Sequence, residues 1–141
     1  MRVGAIAIAA LLALGLTGCT NPDLSVFDRP QVESDVIANA ADLELDPGST
    51  RLLWDGEEAE RDEGDDRKAR SVYLARQDGE PDTTCLVVAS SIAPTVHAMA
   101  CSPGSHIELS FNSEQYLFVT TDIDGEADGW ERLGKGLWRK L

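Results

Sequence analysis

The hydrophobic pattern changes character several times along the chain. After a single positive charge at Arg2, residues 3–16 form an unbroken apolar stretch. A helix crossing a hydrocarbon core needs about 20 apolar residues, so this run has the length of an export signal's apolar region, not of a membrane span. Residues 20–31 hold two prolines and little periodicity, and read as a tether. Val32, Val36, Ile37, Ala40, Ala41 and Leu45 then fall near helical spacing behind Pro30, and Asp46-Pro47-Gly48 ends the pattern. The spacing predicts a helix over 32–45.

Beyond it the pattern becomes strand-like. Arg51-Leu52-Leu53-Trp54 predicts a short strand. Residues 55–70 carry no apolar side chain larger than Ala59 and predict a long exposed loop. Short apolar runs follow at 72–75, 83–89, 95–101, 106–111 and 115–121, with a last one around Leu137-Trp138-Arg139. Turn-forming Gly, Pro, Asn and Asp separate them. The fold expected is α+β: one N-terminal helix and an antiparallel meander sheet of about six short strands. The domain plan is a signal at 1–18, a tether at 19–31 and one globular domain at 32–141 with its charged loop at 55–70.

The apolar stretch ends in Leu16-Thr17-Gly18-Cys19. This motif resembles the lipobox of bacterial lipoproteins. The resemblance implies cleavage before Cys19, acylation of its thiol, and a protein anchored to the outer face of a cell membrane without crossing it. One acyl chain holds a protein only marginally, whereas two or more hold it stably. The run Thr83-Thr84-Cys85-Leu86-Val87-Val88, Ala100-Cys101-Ser102, and Gly129-Trp130-Glu131-Arg132-Leu133 with Leu137-Trp138 are similar to small actinobacterial exported or membrane proteins with no established activity. That resemblance covers about residues 46–141 and implies a sheet carrying two cysteines.

Charge narrows the partners. The chain has 25 acidic and 12 basic residues, a formal net charge of −13. All the acids and all the bases but Arg2 lie beyond the signal. Such a domain repels nucleic acid and anionic headgroups, which excludes nucleic-acid binding and leaves attachment to the lipid on Cys19. The cysteines number three. With Cys19 acylated, Cys85 and Cys101 remain as a pair, and an oxidising compartment closes such pairs. Two free thiols, or a metal site with His97 and His106 nearby, are the alternatives.

Candidate chemistry is sparse. Residues 120–131 place Asp122, Asp124, Asp128 and Glu131 at the third, fifth, ninth and twelfth positions of a calcium loop, around Gly125 at the sixth. Thr120 stands where the first ligand is normally Asp, and an Asp/Gly-rich turn is the plainer reading. There is no Gly-x-Ser-x-Gly elbow, Ser-x-x-Lys pair, phosphate-binding glycine loop or His-Glu-x-x-His motif. Trp54, Trp130, Trp138 and Tyr73 could pack the core or line a binding face. The expected function is a lipid-anchored, non-catalytic binding module meeting an envelope protein partner and needing no cofactor. The alternatives are a calcium-binding surface or adhesion lipoprotein, and a small envelope hydrolase or inhibitor.

Overall fold

The computed structural model describes residues 24–56, 70–90, 95–121 and 128–140. The export signal and Cys19 lie outside the described residues, as do 57–69 within the charged loop. Eight strands are described: β1 (Arg51–Asp55), β2 (Arg70–Gln77), β3 (Glu80–Ser90), β4 (Val96–Ser102), β5 (His106–Phe111), β6 (Glu114–Val119), β7 (Trp130–Gly134) and β8 (Leu137–Lys140). They form two four-stranded antiparallel sheets, ordered β1-β2-β3-β4 and β5-β6-β8-β7.

The expected α+β class is therefore corrected to all-β. Among the described residues the longest helical element is the four-residue 3-10 turn Ser25–Asp28. The segment expected as a helix carries only the short 3-10 turns Glu33–Asp35 and Ala41–Leu43. The reason is Asp35. A helix packed through Val32 and Val36 would turn Asp35 to solvent. Instead Asp35 is fully buried, while Val32 and Val36 are 52% and 50% exposed. Its carboxylate accepts the backbone N–H of Val32 and of Leu52. Asp, Ser and Asn here compete for the backbone bonds a helix would need. Glu44 then takes a left-handed conformation (φ 58°), which ends the segment.

The single meander is corrected as well. The turn at 103–105 carries the chain from β4 into a second sheet. Pro103 offers no donor, and the Ser102 hydroxyl accepts the Gly104 N–H. The apolar pattern explains why two sheets are needed. Residues 71–75 of β2 and 84–89 of β3 are buried without alternation, so both faces of the first sheet must be covered. On one face Val72, Leu74, Leu86 and Val88 meet Ile107, Leu109, Tyr116, Phe118 and Leu137 of the second sheet. On the other, Tyr73, Ala75, Cys85, Val87 and Ala89 lie beneath Ile37, Ala40 and Leu45. The helix-like spacing thus marked a covering layer, folded as turns.

β7 is a strand that the sequence pattern did not predict. It is an edge strand interrupted by an irregularity between Arg132 and Gly134. Its Glu131 stands opposite Arg139 of β8 and accepts from that guanidinium at 2.9 Å. Glu131 and Arg132 are neighbouring charges and both exposed, so the alternation that identifies a strand is missing. Gly136 makes the tight turn into β8. Its φ is +71°, and a Cβ there would lie 2.4 Å from the Val119 carbonyl oxygen, so only glycine fits.

Candidate functional site

Cys85 and Cys101 stand directly opposite each other on β3 and β4 and form a disulfide. It pins the edge strand β4 to the buried β3. Closing a loop of 16 residues stabilises the fold by about 3 kcal/mol in the chain-entropy model.

The two ends of the sandwich differ. At one end a cleft of about 290 Å³ opens between the sheets. Leu53 of β1 forms one wall, beside Leu52 whose side chain packs on the far face of the sheet, Phe118 and Val119 of β6 with Leu137 of β8 form another, and Ser25 and Val26 a third. Two of the lining residues on the β7–β8 side, Gly134 and Gly136, are glycines. Among the described residues of the lining, Lys135 is the one that carries a charge.

The wall contributed by Ser25 and Val26 is held by a clasp. Arg29 donates to both carboxylate oxygens of Asp35, at 2.5 and 2.6 Å. The Leu52 N–H donates to the same carboxylate at 2.8 Å, which ties the clasp to β1. Arg51 donates to the Arg29 carbonyl, and the Arg76 guanidinium lies 4.8 Å from the centre of the Phe27 ring. Leu24, Val26 and Phe27 pack against the core, so the second half of the expected tether lies on the body. Burial alone would raise the Asp35 pKa. The guanidinium and the two backbone donors outweigh it and hold the carboxyl down at about 2.

The opposite end is closed by charge. Glu114 of β6 pairs with Arg70 of β2, accepts the Tyr116 hydroxyl at 2.9 Å, and lies 3.9 Å from Arg139. The Arg70 guanidinium lies over Phe111 and that of Arg139 over Trp54, at 4.9 and 5.0 Å. Cations over aromatic faces are held at lower cost than cations facing hydrocarbon.

The residues singled out by sequence fall in separate places. Cys19, Asp122 and Asp124 lie outside the described residues. Asp128 is exposed, and Glu131 is engaged by Arg139. Among the described residues no three His, Cys, Asp or Glu side chains gather as a metal site. His97 stacks on Phe111 with ring centroids 5.3 Å apart, and His106 is an exposed residue at the start of β5. Trp138 and Tyr73 are buried, whereas Trp54 and Trp130 are half-buried beneath cations.

Sequence reasoning missed Asp35, Glu114, Arg70, Arg139 and the cleft. Asp35 follows Glu33 and Ser34 in the sequence and reads as one of three solvent-facing polar residues, so its burial left no local signal. The cleft left no signal, because its lining comes from distant segments of ordinary residues. No family model matches the chain, and no curated protein or solved structure matches it either.

Proposed function

We propose that this chain is an exported, lipid-anchored, non-catalytic binding module, and that the cleft between β1 and the β7–β8 turn is where it binds. The cleft carries this reading: it is concave and, among the described residues, lined mostly by apolar side chains with few polar groups, the usual make-up of a small-ligand site. The Cys85–Cys101 disulfide supports the exported location, since such bonds persist in oxidising compartments. It also leaves Cys19 as the unpaired thiol, at the last position of the lipobox-like motif.

Gly134 supplies the test. A Cβ there would meet only the Leu53 carbonyl oxygen, at 3.7 Å, and the residue has no left-handed φ. Leucine at 134 therefore fills the cleft without straining the backbone, and Gly134→Ala is the control. The fluorescence of anilinonaphthalene sulfonate, an apolar anionic probe, should rise with the wild type and with Gly134→Ala. It should fall at least fivefold with Gly134→Leu at an unchanged melting temperature. Equal fluorescence from all three would remove the cleft as the binding site.

A further inference from the structure

We infer that β4 is an open sheet edge and that a second copy of this chain pairs with it, antiparallel, about a two-fold axis at Ala100. No residue of β4 lines the cleft, so this surface is separate from the proposed ligand site.

The register of the first sheet sets which backbone groups face outward. Leu52, Tyr73, Val87 and Met99 stand opposite one another in a row across β1, β2, β3 and β4. In an antiparallel ladder, opposite residues alternate between pairs that exchange backbone bonds and pairs that do not. Leu52 aims its N–H and C=O away from β2, because Asp35 accepts the first at 2.8 Å and Arg29 donates to the second at 3.4 Å. Leu52 and Tyr73 therefore do not bond, Tyr73 and Val87 do, and Val87 and Met99 do not. Met99 is left with its N–H and C=O aimed away from β3, and Cys101, two positions on, aims the same way. The 4.0 Å between the Cα atoms of Cys85 and Cys101 fits the closer, non-bonded kind of pair.

The two ends of that row are treated differently. At β1 the Arg29–Asp35 clasp stands in for a neighbouring strand. At β4, among the described residues, no group bonds the outward backbone of Met99 or Cys101, and both residues are exposed.

Sheet edges are normally guarded by charge, proline or a bulge. β1 has the clasp, β5 carries exposed Glu108, and β7 carries exposed Glu131 and Arg132. In β4 the register skips His97, and the stretch after it runs without interruption to Ser102. Charged residues make up 26% of the chain, yet none occurs from Thr83 to Ile107. Each copy has a net charge of −13, so two copies meet at least cost where the contact holds no charge. A cationic partner gains nothing from this edge, whereas the edge matches itself. Pairing about Ala100 sets Met99 opposite Cys101 of the second copy, and Cys101 opposite its Met99. Each of these pairs exchanges both backbone bonds. Only methyl groups meet at the axis, and each Met99 side chain lies beside the other copy's disulfide. So short a contact buries little area, and the association should be weak.

The test is sedimentation velocity of the full chain in nonionic detergent, up to about 1 mM protein. Wild type and Met99→Leu should pass from monomer to dimer with concentration. Raising salt from about 0.05 to about 0.5 M should strengthen the dimer, because like charges are screened and the contact has no ion pair to lose. Met99→Pro removes an outward donor and no bond within the sheet, and should weaken the dimer at least about tenfold at an unchanged melting temperature. Met99→Glu keeps the donor, sets two carboxylates near the axis, and should weaken it as much. A mixture of isotopically heavy and light chains carrying photoreactive methionine maps the contact. Heavy–light cross-links from residue 99 to residues 99–103 are expected. A monomer throughout, a dimer that ignores both Met99→Pro and Met99→Glu, or cross-links from residue 99 confined to its own copy would overturn the inference.

Discussion

Truncating Glu114 to alanine should destabilise the fold by about 3 kcal/mol, because it removes the shared partner of two buried cations. The Glu114 side chain is 16% exposed, Arg70 is 11% and Arg139 is 9%, so solvent screens them little. Arg139 keeps Glu131, which accepts from it at 2.9 Å, but Glu131 is more than half exposed and screened. Arg70 is left over the Phe111 ring without the carboxylate that neutralised it. At about 4 °C per kcal/mol for a domain of this size, the melting temperature should fall by about 12 °C. Glu114→Gln should lie between the wild type and the alanine variant, since it keeps an acceptor for Tyr116 and loses the charge. Replacing the pair together, Arg70→Met with Glu114→Leu, should recover at least half of the loss, because buried pairs contribute little over a well-packed apolar substitute. Thermal melts of the four proteins check this. A drop under 1 kcal/mol for Glu114→Ala would mean that the charged end is solvated.

The second large effect lies at the other end. Asp35→Ala removes the acceptor of two backbone donors and of Arg29, and should also cost about 3 kcal/mol. The same group predicts an acid dependence with a definite sign. Its pKa is lowered in the folded state from 3.8 to about 2. A carboxyl lowered on folding stabilises the protein above its unfolded pKa. That contribution, about 2 kcal/mol, is lost as pH falls from about 4 through about 2. Asp35→Ala should therefore melt far below the wild type at pH 7, with the gap shrinking by about 2 kcal/mol at pH 2. Because the clasp holds Ser25 and Val26 against the cleft, protease cleavage between residues 24 and 36 should rise in the variant before the core opens. A gap that is constant from pH 7 to pH 2 would deny Asp35 this role.

How much of this was legible in the sequence depended on whether a signal was local. β2 and β3 announced themselves as continuous apolar runs, and β5 as strict alternation of Ile107, Leu109 and Phe111. The Cys85–Cys101 pairing followed from counting thiols, and the register places the two opposite each other. The helix over 32–45 failed because periodicity records which residues are apolar, not which carboxylate is buried. Asp35 decided that segment through Arg29 and Leu52, 6 and 17 positions away. β7 was hidden because its neighbouring charges Glu131 and Arg132 are both exposed and break the alternation. The division into two sheets hung on the turn at 103–105, where β4 and β5 could equally have been read as paired. The cleft could not be read at all, since Ser25, Leu53, Phe118 and Gly134 meet only after folding.

The charge pattern also looks different once it is placed on the fold. The acidity of the chain argued that lipid, not surface charge, must hold the protein to a membrane. The clasp adds that the described body begins at Leu24, five positions after the cysteine proposed to carry that lipid.

The proposed export and anchoring depend on Cys19, and intact-mass measurement of the protein extracted from membranes of its native host addresses them directly. The account predicts a chain beginning at Cys19, heavier by a diacylglyceryl group, with or without a further N-acyl chain, and lighter by two hydrogens for the Cys85–Cys101 bond. A chain still beginning at Met1, or one beginning at an unmodified Cys19, would contradict it.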